Sequence, residues 1–278
     1  MKRHIQWSRV LAIILILILT AGLGLSLFLN RTVDENVSQK DTVAENDKTL
    51  QEFLKIAMEP VGQTMYVWGG GWNEEDTGAG IETTTLGLSS QWKIFFEQQS
   101  SNYDYQTTLY QIHDGLDCSG YVGWVIYNLM ESESGQSGYV MKSQEMASTY
   151  ASYGWGTFTP YSEVTDHKPG DIFSNEGHVY ISLGTCDDGS VLLVHSSPPG
   201  VRLCGTLLPS GESSKAVELA SSIMSTHYPE WFEKYPSCEV DLSYLTNYDQ
   251  FQWNADTLSD AQFIQNLSAE EIADLLWS

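Results

Sequence analysis

The chain is short of cations. Thirteen Lys and Arg stand against 36 Asp and Glu in 278 residues, a formal net charge of −23. So acidic a surface repels polyanions, which excludes nucleic acid as a partner. Cysteine is scarce as well: Cys118, Cys186, Cys204 and Cys238 are the four, and no two of them make the CxxC pair that commonly holds zinc. The glycines at 69–71 are not followed by the Lys-Ser/Thr of a phosphate loop, and Asp187-Asp188-Gly189 lacks the spaced oxygen ligands of a calcium loop. No internal repeat is present. Neither a metal nor an organic cofactor is expected.

Long apolar runs are also rare. From Val10 to Leu29 no charge occurs, and Lys2, Arg3 and Arg9 precede the run. At about 1.5 Å per residue such a helix spans the roughly 30 Å hydrocarbon core of a bilayer. It is longer than the apolar part of a cleaved signal peptide and ends in Leu27-Phe28-Leu29-Asn30-Arg31, so an uncleaved anchor is expected. The basic end stays inside, which makes residues 1–9 cytoplasmic, 10–29 a single transmembrane helix and the remainder extracytoplasmic. Residues 30–48 read as a polar linker. Outside the cell one disulfide can form among the three cysteines other than Cys118, with Cys186 and Cys204 the candidate pair.

Beyond the linker, Leu50, Phe53, Leu54, Ala57 and Met58 recur at helical spacing and Pro60 ends the pattern. Residues 72–115 mix Gly, Thr and aromatic residues and read as a structured insertion. Apolar positions then cover most of the circumference of 121–130, as in a helix buried all round. Lys168-Pro169-Gly170-Asp171 turns into a strand, and 179–183 and 191–194 form a hairpin closed by Asp187-Asp188-Gly189-Ser190. If Gly184 pairs with Val191, His178 and His195 become diagonal neighbours on one face, whereas a slip of one residue separates them. Residues 209–278 read as a helical C-terminal extension, with a capping box at Ser268-Ala269-Glu270-Glu271 opening its last helix.

The chemistry centres on Leu116-Asp117-Cys118-Ser119-Gly120-Tyr121, which sets a thiol at a turn running into the buried helix. Unpaired N–H groups and the positive end of the helix dipole favour thiolate there. A cysteine nucleophile needs a base within hydrogen-bond reach and a third group that orients the base. Cys118 would attack, His178 would take and return the proton, and His195 would hold His178 through its other nitrogen. Such a set suits acyl transfer from an amide.

Four blocks then occur in order: Tyr66-Val67-Trp68-Gly69-Gly70, Asp117-Cys118-Ser119-Gly120-Tyr121, Pro169-Gly170-Asp171 with Gly177-His178-Val179, and His195. Together they resemble the NlpC-type family of papain-like cell-wall cysteine peptidases, over a domain at 49–208. The resemblance implies an α+β, papain-like fold, with N-terminal helices carrying the cysteine packed on a central antiparallel sheet carrying the histidines. It implies a Cys118–His178–His195 triad and hydrolysis of amide bonds in bacterial peptidoglycan stem peptides, the implied partner. Tyr66 resembles the family tyrosine near the oxyanion, and Asp117 and Ser119 resemble positions that bind the free amine of a stem peptide. The insertion at 72–115 is longer than the family's usual spacing, and 209–278 lies outside its pattern.

Other readings attach to the same residues. A cysteine amidase or a protein peptidase would share the triad, and an inactive relative would be a binding or scaffold module for wall peptides. Asp117 equally suits a helix cap and Tyr66 a core position. His113, His167 and His227 belong to no block and read as surface or structural residues.

Overall fold

The structure, a computed structural model, describes residues 48–277. The expected cytoplasmic N-terminus, the anchor at 10–29 and all but the last residue of the linker lie outside the described residues. Among the described residues no helix is long and apolar enough to cross a membrane.

Helix α1 (Leu50–Met58) starts where Thr49 Oγ1 accepts from the Glu52 N–H at 3.0 Å, and it buries the periodic residues Leu50, Phe53, Leu54, Ala57 and Met58. Helix α2 (Ser90–Gln98) lies in the insertion, and α3 (Cys118–Met130) and α4 (Ser143–Ser152) follow it. Three helices lie in the C-terminal part: α5 (Lys215–His227), α6 (Pro229–Lys234) and α7 (Ala269–Trp277). The capping box forms as its spacing predicts, with Ser268 N–H donating to Glu271 at 2.8 Å and Glu271 N–H donating back to Ser268 Oγ at 3.3 Å.

Seven strands make one sheet: β1 (Gly156–Thr159), β2 (Ile172–Ser174), β3 (Val179–Thr185), β4 (Val191–Ser197), β5 (Gly200–Thr206), β6 (Glu239–Val240) and β7 (Asp249–Trp253). Their order is β1-β7-β2-β3-β4-β5-β6. Every pairing is antiparallel except β5 with β6, so the fold is α+β with a mixed sheet.

Helix α3 packs on β3 and β4 and is buried from Ser119 to Tyr127. Its two glycines cost about 1 kcal/mol each in propensity. Val122, Trp124, Val125, Ile126 and Leu129, all buried, return roughly 1.5–3 kcal/mol apiece, so packing decides the helix. The glycines are needed for room: a Cβ on Gly120 would sit 2.1 Å from the Gly70 carbonyl oxygen, and one on Gly123 would sit 2.6 Å from Val140.

The extension at 209–278 is more than the expected set of helices. Strand β7 enters the sheet between β1 and β2, and β6 extends its other edge. The alternation in β7 explains the insertion: Phe251 and Trp253 join the main core, while Gln250 and Gln252 turn away and donate to Asp171 Oδ2 at 2.7 and 3.2 Å. The segment at 72–115 is likewise built into the core, since Trp92, Phe95 and Phe96 of α2 are buried there and Phe96 stacks on Trp231 of α6. All four cysteines are free thiols. Cys186 belongs to the main core and Cys204 to a smaller cluster with Phe173, Tyr180 and Leu193, so the candidate bridge is not formed.

Candidate active site

The loop that carries Cys118 is held from three sides. Leu116 and Asp117 donate their N–H groups to the carbonyls of Met65 and Gly70, and Ser196 of β4 donates its hydroxyl to the Leu116 carbonyl at 2.6 Å. The strand that carries His195 is therefore tied to the residue two before the cysteine. Asp117 caps α3, accepting from Gly120 N–H at 2.7 Å and from Ser119 Oγ at 2.8 Å. Ser119 Oγ in turn accepts the indole N–H of Trp72 at 3.1 Å. Of the two sequence readings for Asp117, the structure displays the cap.

The histidines meet. His178 Nε2 lies 3.0 Å from His195 Nδ1, with the rings edge to face. The register that achieves this differs in one detail from the simple hairpin. Ile181 pairs with Val194 and Ser182 with Leu193, as expected for the site end, but Gly184 pairs with Leu192 and Thr185 with Val191. A bulge at Leu183 absorbs the extra residue, so the turn can shift while the histidines stay on one face. The entry of β3 is fixed by Asn175, whose Oδ1 accepts from the N–H groups of Gly177 and His178, each at 2.9 Å.

Cys118 is partly exposed at the start of α3 and sits beside the Val179 N–H, one residue past His178. No hydrogen bond joins its thiol to His178 among the described residues, so the structure brings the two histidines together and leaves the thiol next to them. The expected lowering of the thiol is also reversed. Burial, reinforced by the Asp117 carboxylate, pushes Cys118 up to about 12, against the pull of the backbone N–H groups of Val179 and Ser119. Burial first, then the Arg202 guanidinium, brings His178 down to about 3 and His195 well below the ordinary imidazole value. The free site is a neutral thiol beside two neutral imidazoles.

Cys118 opens into a cleft of about 410 Å³ walled by Tyr66, Trp68, Trp72, Tyr110, Lys142 and Gly177, among others. A second hollow of about 530 Å³, formed largely by the insertion, shares Trp72, Asp76 and Tyr110 with it. Asp76 and Tyr110 both have positive φ, 54° and 62°, a conformation that L residues seldom adopt without a local reason. Tyr66 is buried with its ring edge against Tyr105, and burial together with Cys118 and Asp117 pushes its phenol far up. Its hydroxyl thus remains a proton donor near the sulfur.

Sequence reasoning missed three residues of this site. Tyr244 packs on both imidazoles and its hydroxyl lies 3.4 Å from His195 Nδ1. Tyr248 stacks on Tyr244, and Arg202 faces His195 across β4 and β5. The two tyrosines lie in the extension, where no periodic pattern marks them. Arg202 alone carried a signal, as a cation inside the apolar run Val201-Arg202-Leu203. In comparison with known proteins, no family model, no curated protein and no solved structure matches this chain.

Proposed function

We propose that the protein is a membrane-anchored, extracytoplasmic cysteine peptidase that hydrolyses amide bonds in peptidoglycan stem peptides. The observation that carries the reading is the His178–His195 pair at 3.0 Å beside a cysteine that starts a buried helix and opens into a peptide-sized cleft. The anchor rests on the apolar run at 10–29 and the substrate on the sequence blocks around Tyr66, Cys118, His178 and His195.

In this reading Cys118 Sγ attacks the scissile carbonyl carbon while its proton passes to His178 Nδ1, the nitrogen that His195 leaves free. A neutral starting pair makes attack and proton transfer a coupled step, because neither the thiolate nor the imidazolium is stable beforehand. Tyr66 would donate to the oxyanion. As the C–N bond breaks, His178 returns the proton to the leaving amine and a thioester remains. Water then attacks the thioester, giving its proton to His178, and the released sulfur takes that proton back.

A second reading, a binding module for wall peptides, is favoured by the protonated thiol and its lack of a hydrogen bond to His178. Mass spectrometry of peptidoglycan digested by the full-length chain, beside a Cys118→Ala control, separates the two. New stem fragments released only by the native chain support the peptidase; an unchanged digest from a folded protein that retains wall peptides on co-sedimentation supports the module.

A further inference from the structure

Arg202 stands directly across from His195 in the β4–β5 register and is only 7% exposed. It takes part in none of the ion pairs among the described residues. Its Nη1 donates to the carbonyls of Ser197, at 2.6 Å, and Gly200, at 3.3 Å, and its Nε has no partner. Carbonyl oxygens satisfy donors without cancelling the charge, so the field of the guanidinium falls on the polar groups around it.

Those groups are few. His178 stands just before β3 and Tyr180 within it, β5 contributes Cys204, Cys238 precedes β6, and the C-terminal segment contributes Tyr244 and Tyr248. Burial holds the three tyrosines, Cys204 and Cys238 above their ordinary values, so none supplies an anion at neutral pH. Glu239 and Asp241, the carboxylates at the adjoining edge, are exposed. Asp117 sits on the nucleophile loop, engaged with Gly120 and Ser119. Arg202 thus acts on the histidine pair with no buried counter-ion.

We propose that Arg202 is a positioning residue whose charge holds His195 neutral, so that His195 Nδ1 stays available as the acceptor for His178 Nε2–H. The role in turnover rests on the peptidase reading above; the coupling between Arg202 and His195 does not. A protonated His195 would donate from both nitrogens, and the 3.0 Å contact would then require a bare His178 Nε2. A neutral His178 with a bare Nε2 carries its proton on Nδ1 and cannot take the one on Cys118. The guanidinium is also the charged group that lowers both imidazoles after burial.

The test is a pH titration of the histidine rings by 15N-edited NMR, on the full-length chain, for the native protein, Arg202→Gln and Arg202→Lys. The native His195 ring should stay neutral, with its proton on Nε2, through the ordinary imidazole range and well below it. In Arg202→Gln it should titrate at least one pH unit higher, while Arg202→Lys should keep the native behaviour because it keeps the charge. Equal titration in all three proteins, or equal shifts in the two variants, would make Arg202 only a brace for the 197–200 turn. Should Arg202→Gln fail to fold, a native His195 that titrates near pH 6.5, or carries its proton on Nδ1, overturns the proposal unaided. No substrate enters this measurement, so loss of the peptidase reading would show only in the digest.

Discussion

Trp72 donates its indole N–H to Ser119 Oγ at 3.1 Å, and Ser119 passes its own proton toward Asp117 at 2.8 Å. The first residue of the 72–115 segment is therefore wired to the first turn of α3. Replacing Trp72 with Phe keeps most of the ring and removes the donor. The unfolding free energy should fall by about 1 kcal/mol, the usual net value of such a bond. Urea denaturation followed by fluorescence measures it, and an unchanged midpoint would show that the bond adds nothing.

The same chain of bonds sets a test for Asp117. Its Oδ1 accepts from Gly120 N–H and Ser119 Oγ, as an N-cap should. Asp117→Ala is expected to cost about 1 kcal/mol of stability, whereas Asp117→Asn keeps an acceptor and should cost a few tenths. If the carboxylate charge also binds a substrate amine, Asp117→Asn will raise KM severalfold at native stability. The cap geometry leads us to expect KM within about twofold of native, since the capping oxygen survives the change.

Much of the site was legible because its parts are local. Asp117-Cys118-Ser119-Gly120 reads as a cap and a first helical turn, and the hairpin between β3 and β4 follows from alternation around a DDGS turn. The pairing of His178 with His195 followed from counting along that hairpin, and the count held at the site end because the bulge at Leu183 took up the difference. What could not be read comes from long-range pairing. Strand β7 presents Asp249-Gln250-Phe251-Gln252-Trp253, half polar, and is an interior strand in which Phe251 and Trp253 reach the core while Asp171, far back in the chain, receives both glutamines. Tyr244 reaches the histidines from a one-turn helix with no apolar rhythm. The raised thiol was missed for a related reason: the helix N-terminus is local, but the burial that outweighs it is tertiary.

That reversal has a kinetic signature. A preformed thiolate–imidazolium pair gives an alkylation rate that is flat across neutral pH, whereas a thiol held up near 12 beside a lowered imidazole does not. Alkylation of Cys118 by iodoacetamide should rise about tenfold for each pH unit from 6 to 9, following the thiolate fraction. Mass spectrometry of the labelled peptide reads the rate. A plateau between pH 5 and 8 would mean that the pair is already ionised in the free protein.

His195 and Tyr244 can be separated by what each gives His178. His195→Ala removes the acceptor at 3.0 Å and should lower kcat far more than it changes KM, by about 10²-fold, the lower end of what a positioned acid–base group contributes. Tyr244→Phe keeps the ring against both imidazoles and loses only the hydroxyl at 3.4 Å, a long contact. It should lower kcat less than about tenfold, or 1.4 kcal/mol. Steady-state kinetics on a released stem fragment decides between them; a Tyr244→Phe loss as large as that of His195→Ala would make the hydroxyl the true partner of the pair.

Asp171 joins the site's sheet to its pH response. The side chain is buried, and although Lys168 N–H, Gln250 and Gln252 all donate to Oδ2, burial dominates and lifts the carboxyl to about 7 from 3.8. A raised acid binds its proton more tightly in the folded chain than in the unfolded one. Between those two values the folded state holds more protons, so stability falls as pH rises from about 4 to about 7 and is level above. At about 1.4 kcal/mol per pH unit, roughly 2 kcal/mol should be lost between pH 5 and 7 through this group. Asp171→Asn, which cannot ionise, should lose that much less over the same interval in urea titrations. Equal losses in the two proteins would place the proton elsewhere.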